Sequence, residues 1–153
     1  MRNSLKTIAL GSVLLGQAFL PDTGGAACLD PKTFVSGYTV PLSSEIRTAD
    51  AIVIGRVLAE QGLREDPADP DADKAFNVKV QVITRLKGRL PRVVVIRNDN
   101  TSARYPMSVG EEHLLFVSRD RQGLWINSCG NSSAMPEGKK FIGQIRAQLQ
   151  SLE

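Results

Sequence analysis

The chain has 153 residues, with 19 Lys and Arg against 16 Asp and Glu, one His, one Trp and a formal net charge of +3. That balance gives no electrostatic footprint for nucleic acid or an anionic membrane, and so few aromatic residues leave little surface for stacking bases. Two cysteines are too few for a disulfide-built miniprotein, and no segment beyond the N-terminus approaches the length of a membrane span.

In chain order, residues 1–27 read as an export signal. Arg2 and Lys6 supply the positive start, Thr7 to Leu20 the apolar stretch, and Gly25-Ala26-Ala27 the small residues before a cleavage site at Cys28. At 14 residues the apolar stretch is short for a span, and Pro21 ends it. Two competing readings are an uncleaved anchor and a lipoprotein with Cys28 acylated. A lipoprotein signal usually has Leu three residues before the cysteine, where this chain has Gly25. The expected location is therefore secreted or periplasmic, with membrane attachment only if Cys28 is lipidated. Removing 27 residues leaves 28–153, a single domain's worth. In an oxidising compartment the even pair Cys28 and Cys129 is expected to be bridged.

Cys28 to Pro41 lacks periodicity and reads as an extended arm. Ser43 or Ser44 is expected to cap a short helix through Ile46 to Ala49, with Glu45 in its first turn. Ala51 to Leu58 is an apolar, β-branched strand with a bulge or sharp bend at Gly55. Gln61 to Lys74 reads as a polar loop. Phe76, Val78, Val80 and Val82 alternate with polar residues as a second strand. Lys87 to Pro91 turns the chain, Val93 to Ile96 is the third strand, and Asn98 to Gly110 is a second loop. His113 to Val117 and Leu124 to Cys129 are the fourth and fifth strands, joined by a turn at Asp120 to Gly123. From Glu137 to Glu153, Phe141, Ile142, Ile145, Leu149 and Leu152 recur at helical spacing, opposite Lys140, Gln144, Arg146 and Gln148. Five short strands and one outer helix predict a mainly β fold: a five-stranded OB-like Greek-key barrel with the C-terminal helix packed on it. An open sandwich is the competing architecture.

Several short stretches share a texture. Thr48-Ala-Asp50, the apolar run to Gly55 and Val57 resembles the first strand of netrin-like domains, the superfamily that includes the tissue inhibitors of metalloproteinases and related bacterial proteins. Val80 to Lys87-Gly88 resembles their second strand, Val109-Gly110-Glu111-Glu112-His113 to Phe116 a later one, and Gly123 to Cys129 the strand that ends in cysteine. The resemblance covers about residues 48–130. It implies an OB-like barrel, a Cys28–Cys129 disulfide and a protein partner, in the sharpest form a zinc metalloprotease. In those inhibitors the amine and carbonyl of the first cysteine in a Cys-x-Cys start chelate the protease zinc. Here the start holds one cysteine, Cys28, followed by Leu29-Asp30, and the loop from Asn98 to Gly110 holds none. The contact residues implied are Cys28, Leu29 and Asp30, with Arg104 and Tyr105 from the Ser102–Ser108 loop.

Other patterns have bland readings. Asp69, Asp71 and Asp73 have the first spacings of a calcium loop, but Lys74 stands where glycine is needed and Val80 where the last ligand would be, so the stretch reads as a solvated acidic loop. His113 has no second imidazole for a metal site and no nucleophile to serve, and is expected to pack. Arg85, Lys87, Arg89 and Arg92 read as a solvated turn protecting a sheet edge. Asn100-Thr-Ser102 and Asn131-Ser-Ser133 fit glycosylation sequons. No nucleophile elbow, phosphate loop or dinucleotide fingerprint occurs, so neither an enzymatic activity nor a cofactor is expected.

Overall fold

A computed structural model describes residues 28–64, 68, 73–101 and 104–152. Residues 1–27, expected to be an export signal, and Asp69, Asp71 and Ser102 lie outside the described residues. The chain is mainly β. Helix α1 (Leu42–Thr48) precedes strands β1 (Ala51–Arg64), β2 (Asp73–Lys87), β3 (Val93–Asp99), β4 (Glu112–Asp120), β5 (Gly123–Ile126) and β6 (Ser133–Ala134), and helix α2 (Lys139–Gln150) follows. The first five strands form one sheet in the order β1-β2-β3-β5-β4, and β4 pairs back to β1. Every pairing in this ring is antiparallel except β3 with β5. A single barrel-like sheet closed on itself rules out the open sandwich.

Burial explains why the strands differ in pattern. Inside the ring lie Val53, Val57, Val78, Val80, Ile96, Leu115 and Val117. A second cluster lies outside it, where Ile52 of β1 and Leu114 and Phe116 of β4 meet Ile46 of α1 and Ile145 of α2. β1 and β4 are thus covered on both faces, so they read as unbroken apolar runs. β2 and β3 have a wet outer face, so they alternate. Gly55 sits at a register shift against β2, and a Cβ there would come within 2.5 Å of Val80 Cγ1. The bend and the close approach both exclude a side chain.

Four boundaries differ from expectation. β1 and β2 run on as a polar ribbon, pairing through Gln61 with Asn77 to Arg64 with Asp73, where the sequence reads as loop. Backbone pairing holds such a ribbon without an apolar alternation for the eye to find. β5 stops at Ile126, because Asn127 Oδ1 accepts the Cys129 N–H at 3.0 Å and turns the chain. Neither Ser43 nor Ser44 caps α1: both lie in its first turn, and the Pro41 carbonyl accepts from Ser44 and Glu45. Helix α2 ends at Gln150, leaving Leu152 exposed beyond it.

Candidate partner-binding surface

The site is built on the disulfide. Cys28 and Cys129 are bonded, with Cα atoms 5.5 Å apart across 101 positions of sequence. The arm is then held along its length. Tyr38 N donates to the Cys28 carbonyl, Val40 N donates to the Cys129 carbonyl, and Asn131 Nδ2 donates to the Val40 carbonyl, each at 2.9 Å. Glu45, buried in α1, completes the anchorage by accepting from both Asn131 N and Asn131 Nδ2 at 2.6 Å. Burial raises its pKa, and the two Asn131 hydrogen bonds partly offset that.

Between these anchors the arm folds back as a small hairpin. Leu29 bridges Ser36, and Asp30 N donates to Val35 O while Phe34 N donates to Asp30 O. Asp30 Oδ1 accepts from Lys32 N at 2.7 Å and Thr33 N at 3.0 Å, an Asx turn that holds its carboxyl below the usual range. The tip projects three apolar side chains: Leu29 is 51% exposed, Val35 63% and Phe34 75%. Phe34 also has φ of 58°, a left-handed conformation that costs a bulky side chain about 1 kcal/mol or more. A strained and exposed aromatic on a covalently tethered turn contributes nothing to a core.

The second expected contact, the loop after β3, is less accessible. Arg104 is ion-paired with Glu60 and lies 3.8 Å over the Phe76 ring, partly exposed. Tyr105 is buried inside the ring, so its side chain is not available to a partner. Its hydroxyl sits 2.9 Å from His113 Nδ1, and its carbonyl accepts from Asn98 Nδ2 at 2.7 Å. His113 Nε2 lies 3.3 Å from Glu111 Oε2, which also accepts from Ser108 N. This pairing assigns the proton of the neutral imidazole to Nε2, leaving Nδ1 to accept from the phenol. His113 therefore fastens the loop to β4 through both ring nitrogens.

Burial lowers the His113 pKa, opposed by Glu111. A histidine harder to protonate folded than unfolded binds fewer protons in the native state. Its contribution to stability is full above the ordinary value of 6.5 and falls as pH drops below it. Glu45 acts in the opposite sense, losing stability as pH rises above 4.5. We expect the denaturant midpoint of the wild type, relative to that of His113→Gln, to fall with acid between pH 7 and roughly 5. The difference from His113→Gln isolates the histidine, and parallel pH profiles for the two proteins would refute this role.

The remaining sequence candidates resolve into structural parts. Lys87 is not a solvated turn residue: its ammonium donates to the carbonyls of Ile46, Arg47 and Ala49 at 2.8, 2.9 and 2.6 Å, closing the C-terminus of α1. Burial lowers its pKa, partly countered by Asp50. Arg85 Nε donates to the Leu90 carbonyl across the same turn, whereas Arg89 and Arg92 are exposed. Both sequon amides are engaged, Asn131 as above and Asn100 Nδ2 with the Asp73 carbonyl. Asp73 begins β2, with its carboxylate against Gly62.

Residues of the hairpin tip that sequence reading passed over are Phe34 and Val35. Two adjacent large apolar residues in an aperiodic stretch beside a cysteine were the available signal. Among the described residues no helix is long and apolar enough to cross a membrane. No family model and no curated protein matches the chain.

Proposed function

We propose that this chain is an exported protein-binding module that engages its partner through the tethered hairpin, with Leu29, Asp30, Phe34 and Val35 as the contact. The observation that carries this reading is the outward Phe34 at positive φ on an arm pinned at both ends. Strain and exposed apolar area are both costs to the free domain, and a partner pocket that takes the ring recovers the second. Pinning lowers the ordering entropy lost on binding. The disulfide also occupies the sulfur that lipidation of Cys28 would need, which favours export in soluble form over a lipid-anchored assembly domain.

The sharper version, taken from the netrin-like resemblance, is a metalloproteinase inhibitor in which the Cys28 amine, freed by signal cleavage, reaches the protease zinc. The Cys28 carbonyl already accepts from Tyr38, so the apolar tip rather than bidentate chelation is the better supported contact.

The test is Phe34→Gly. Glycine relieves the φ strain, so the variant is expected to melt at or above the wild-type temperature. It should nevertheless lose capture of the partner from a native envelope extract by at least about tenfold. Equal capture by the two proteins would overturn the reading. Intact mass of the exported protein separates the alternatives: a chain starting at Cys28 and two hydrogens lighter than its reduced form supports the module, and a diacylglycerol adduct supports the anchor. Full protease activity across a panel of zinc proteases at high concentration of the protein would end the inhibitor version alone.

A further inference from the structure

The parallel strands β3 and β5 pair through only two positions, Ile96 with Leu124 and Arg97 with Trp125. Beyond them the strands separate, and a cleft of about 310 Å³ opens between the end of β3, the Asp120–Gly123 turn and the exit from β5. That is the lower end of the roughly 300–1,000 Å³ range of small-ligand sites. Leu124 and Ile126, which also pack on the interior of the ring, form its apolar lining, and Trp125, the chain's single tryptophan, alternates to the outer face of β5 as the pairing partner of Arg97, 37% exposed.

The polar groups around the cleft are fixed in advance. Arg97 Nε donates to Asp99 Oδ1 at 2.6 Å, presenting the two as one donor–acceptor unit. Asp120 Oδ1 accepts from Gln122 N at 2.7 Å and Gly123 N at 3.1 Å. Asn127 is oriented by the Cys129 N–H, so the disulfide segment steadies this side too. Preset polar groups bind a hydroxylated ligand without an ordering cost.

The formal charge of the lining decides the ligand class. Arg97 and Arg104 are matched by Asp99 and Asp120, so the cleft has no net sign with which to select a phosphate or a cation. Planar side chains offering both donors and acceptors, beside a partly exposed indole, suit a ring with hydroxyls at its edge and C–H groups on its face. The partly positive C–H groups meet the negative face of the indole.

We propose that this cleft binds a neutral carbohydrate ring stacked on Trp125, with its hydroxyls held by the Arg97–Asp99 pair and Asn127. It uses residues other than those of the hairpin, so it stands or falls apart from the protein-binding reading.

Because Trp125 is the sole tryptophan, its fluorescence reports this cleft alone. Titration with glucose, galactose, N-acetylglucosamine and their β-linked dimers should give a saturable change for at least one sugar, with a dissociation constant on the order of 1 mM or below. By calorimetry, Trp125→Ala and Asp99→Ala should each weaken that binding at least about tenfold, Trp125→Phe should retain most of it, and Val95→Ala on the adjacent outer face of β3 should leave it unchanged. No saturable signal from any of these sugars would overturn the proposal, as would affinity unaltered in both alanine variants. A sulfated sugar binding more tightly than its neutral parent would overturn the neutral class.

Discussion

Replacing Cys129 with serine is expected to remove about 4–5 kcal/mol of stability in oxidising buffer. The bond closes a loop across 101 positions, and in the chain-entropy description a loop of that size restricts the unfolded ensemble by about this much. A domain of this size has only about 5–15 kcal/mol in total, so the variant should melt roughly 15 °C lower or more. Cys28→Ser should match it, and the double variant should be no worse, because all three break one bond. Under reductant the wild type should fall to the level of the variants. Equal stability of wild type and Cys129→Ser in oxidising buffer would refute the assignment of this bond as the main covalent constraint.

The same substitution has a local consequence that links stability to the proposed function. Without the bond, the hairpin from Leu29 to Ser36 keeps one bridge and an Asx turn, and a two-stranded hairpin with no core of its own is marginal in water. The Val40 and Asn131 hydrogen bonds hold the arm only at its base. Amide exchange at residues 29–36 should therefore rise to near the unfolded rate in Cys129→Ser while the strands of the ring stay protected below the melting temperature. Partner capture should fall with it, although every side chain of the contact is still present.

What could be read in the sequence divides along physical lines. The ring was legible because apolar alternation and apolar runs record burial directly: Phe76 to Val82 shows one wet face, and His113 to Val117 shows two dry ones. The polar ribbon of β1 and β2 beyond Leu58 was not, since backbone pairing carries it and leaves no side-chain signature. The stretches that resemble netrin-like domains turn out to share a mechanical task. Ala49 offers its carbonyl to Lys87, Asp50 Oδ2 accepts the Arg119 N–H, and Gly110 and Glu111 clasp Val57 and Ser108. Such residues record how helix and loop are fastened to a ring, and that fastening is indifferent to what the protein binds. The shape of the hairpin tip was illegible for the opposite reason, although Leu29 is an expected contact. Leu29, Phe34 and Val35 follow no period, and a left-handed φ at phenylalanine is set by the Asx turn and the disulfide around it, not by any preference of its own.

The joint between α1 and the ring supplies the second large expectation. Gly88 has φ of 70°, and a Cβ there would run into the Asp50 carbonyl and come within 3.1 Å of Ala51 Cα. Both obstacles are backbone, at the point where α1 gives way to β1, and neither can swing aside as a long side chain would. Gly88→Ala should therefore cost about 2–5 kcal/mol, from the left-handed backbone and the enforced shift together. Lys87→Met keeps the length of the side chain and removes the ammonium that closes the helix, leaving three carbonyls without their donor, for about 2–3 kcal/mol. Because the two residues secure one joint, the double variant should lose less than the sum of the singles. The hairpin gives a functional readout of the same lesion. Glu45 of α1 anchors Asn131, which holds Val40, so a displaced α1 should loosen the base of the arm and weaken partner capture without touching the tip. Gly88→Ala within about 0.5 kcal/mol of wild type in chemical denaturation would show that the backbone can yield there, and the helix joint would then not be the rigid support described.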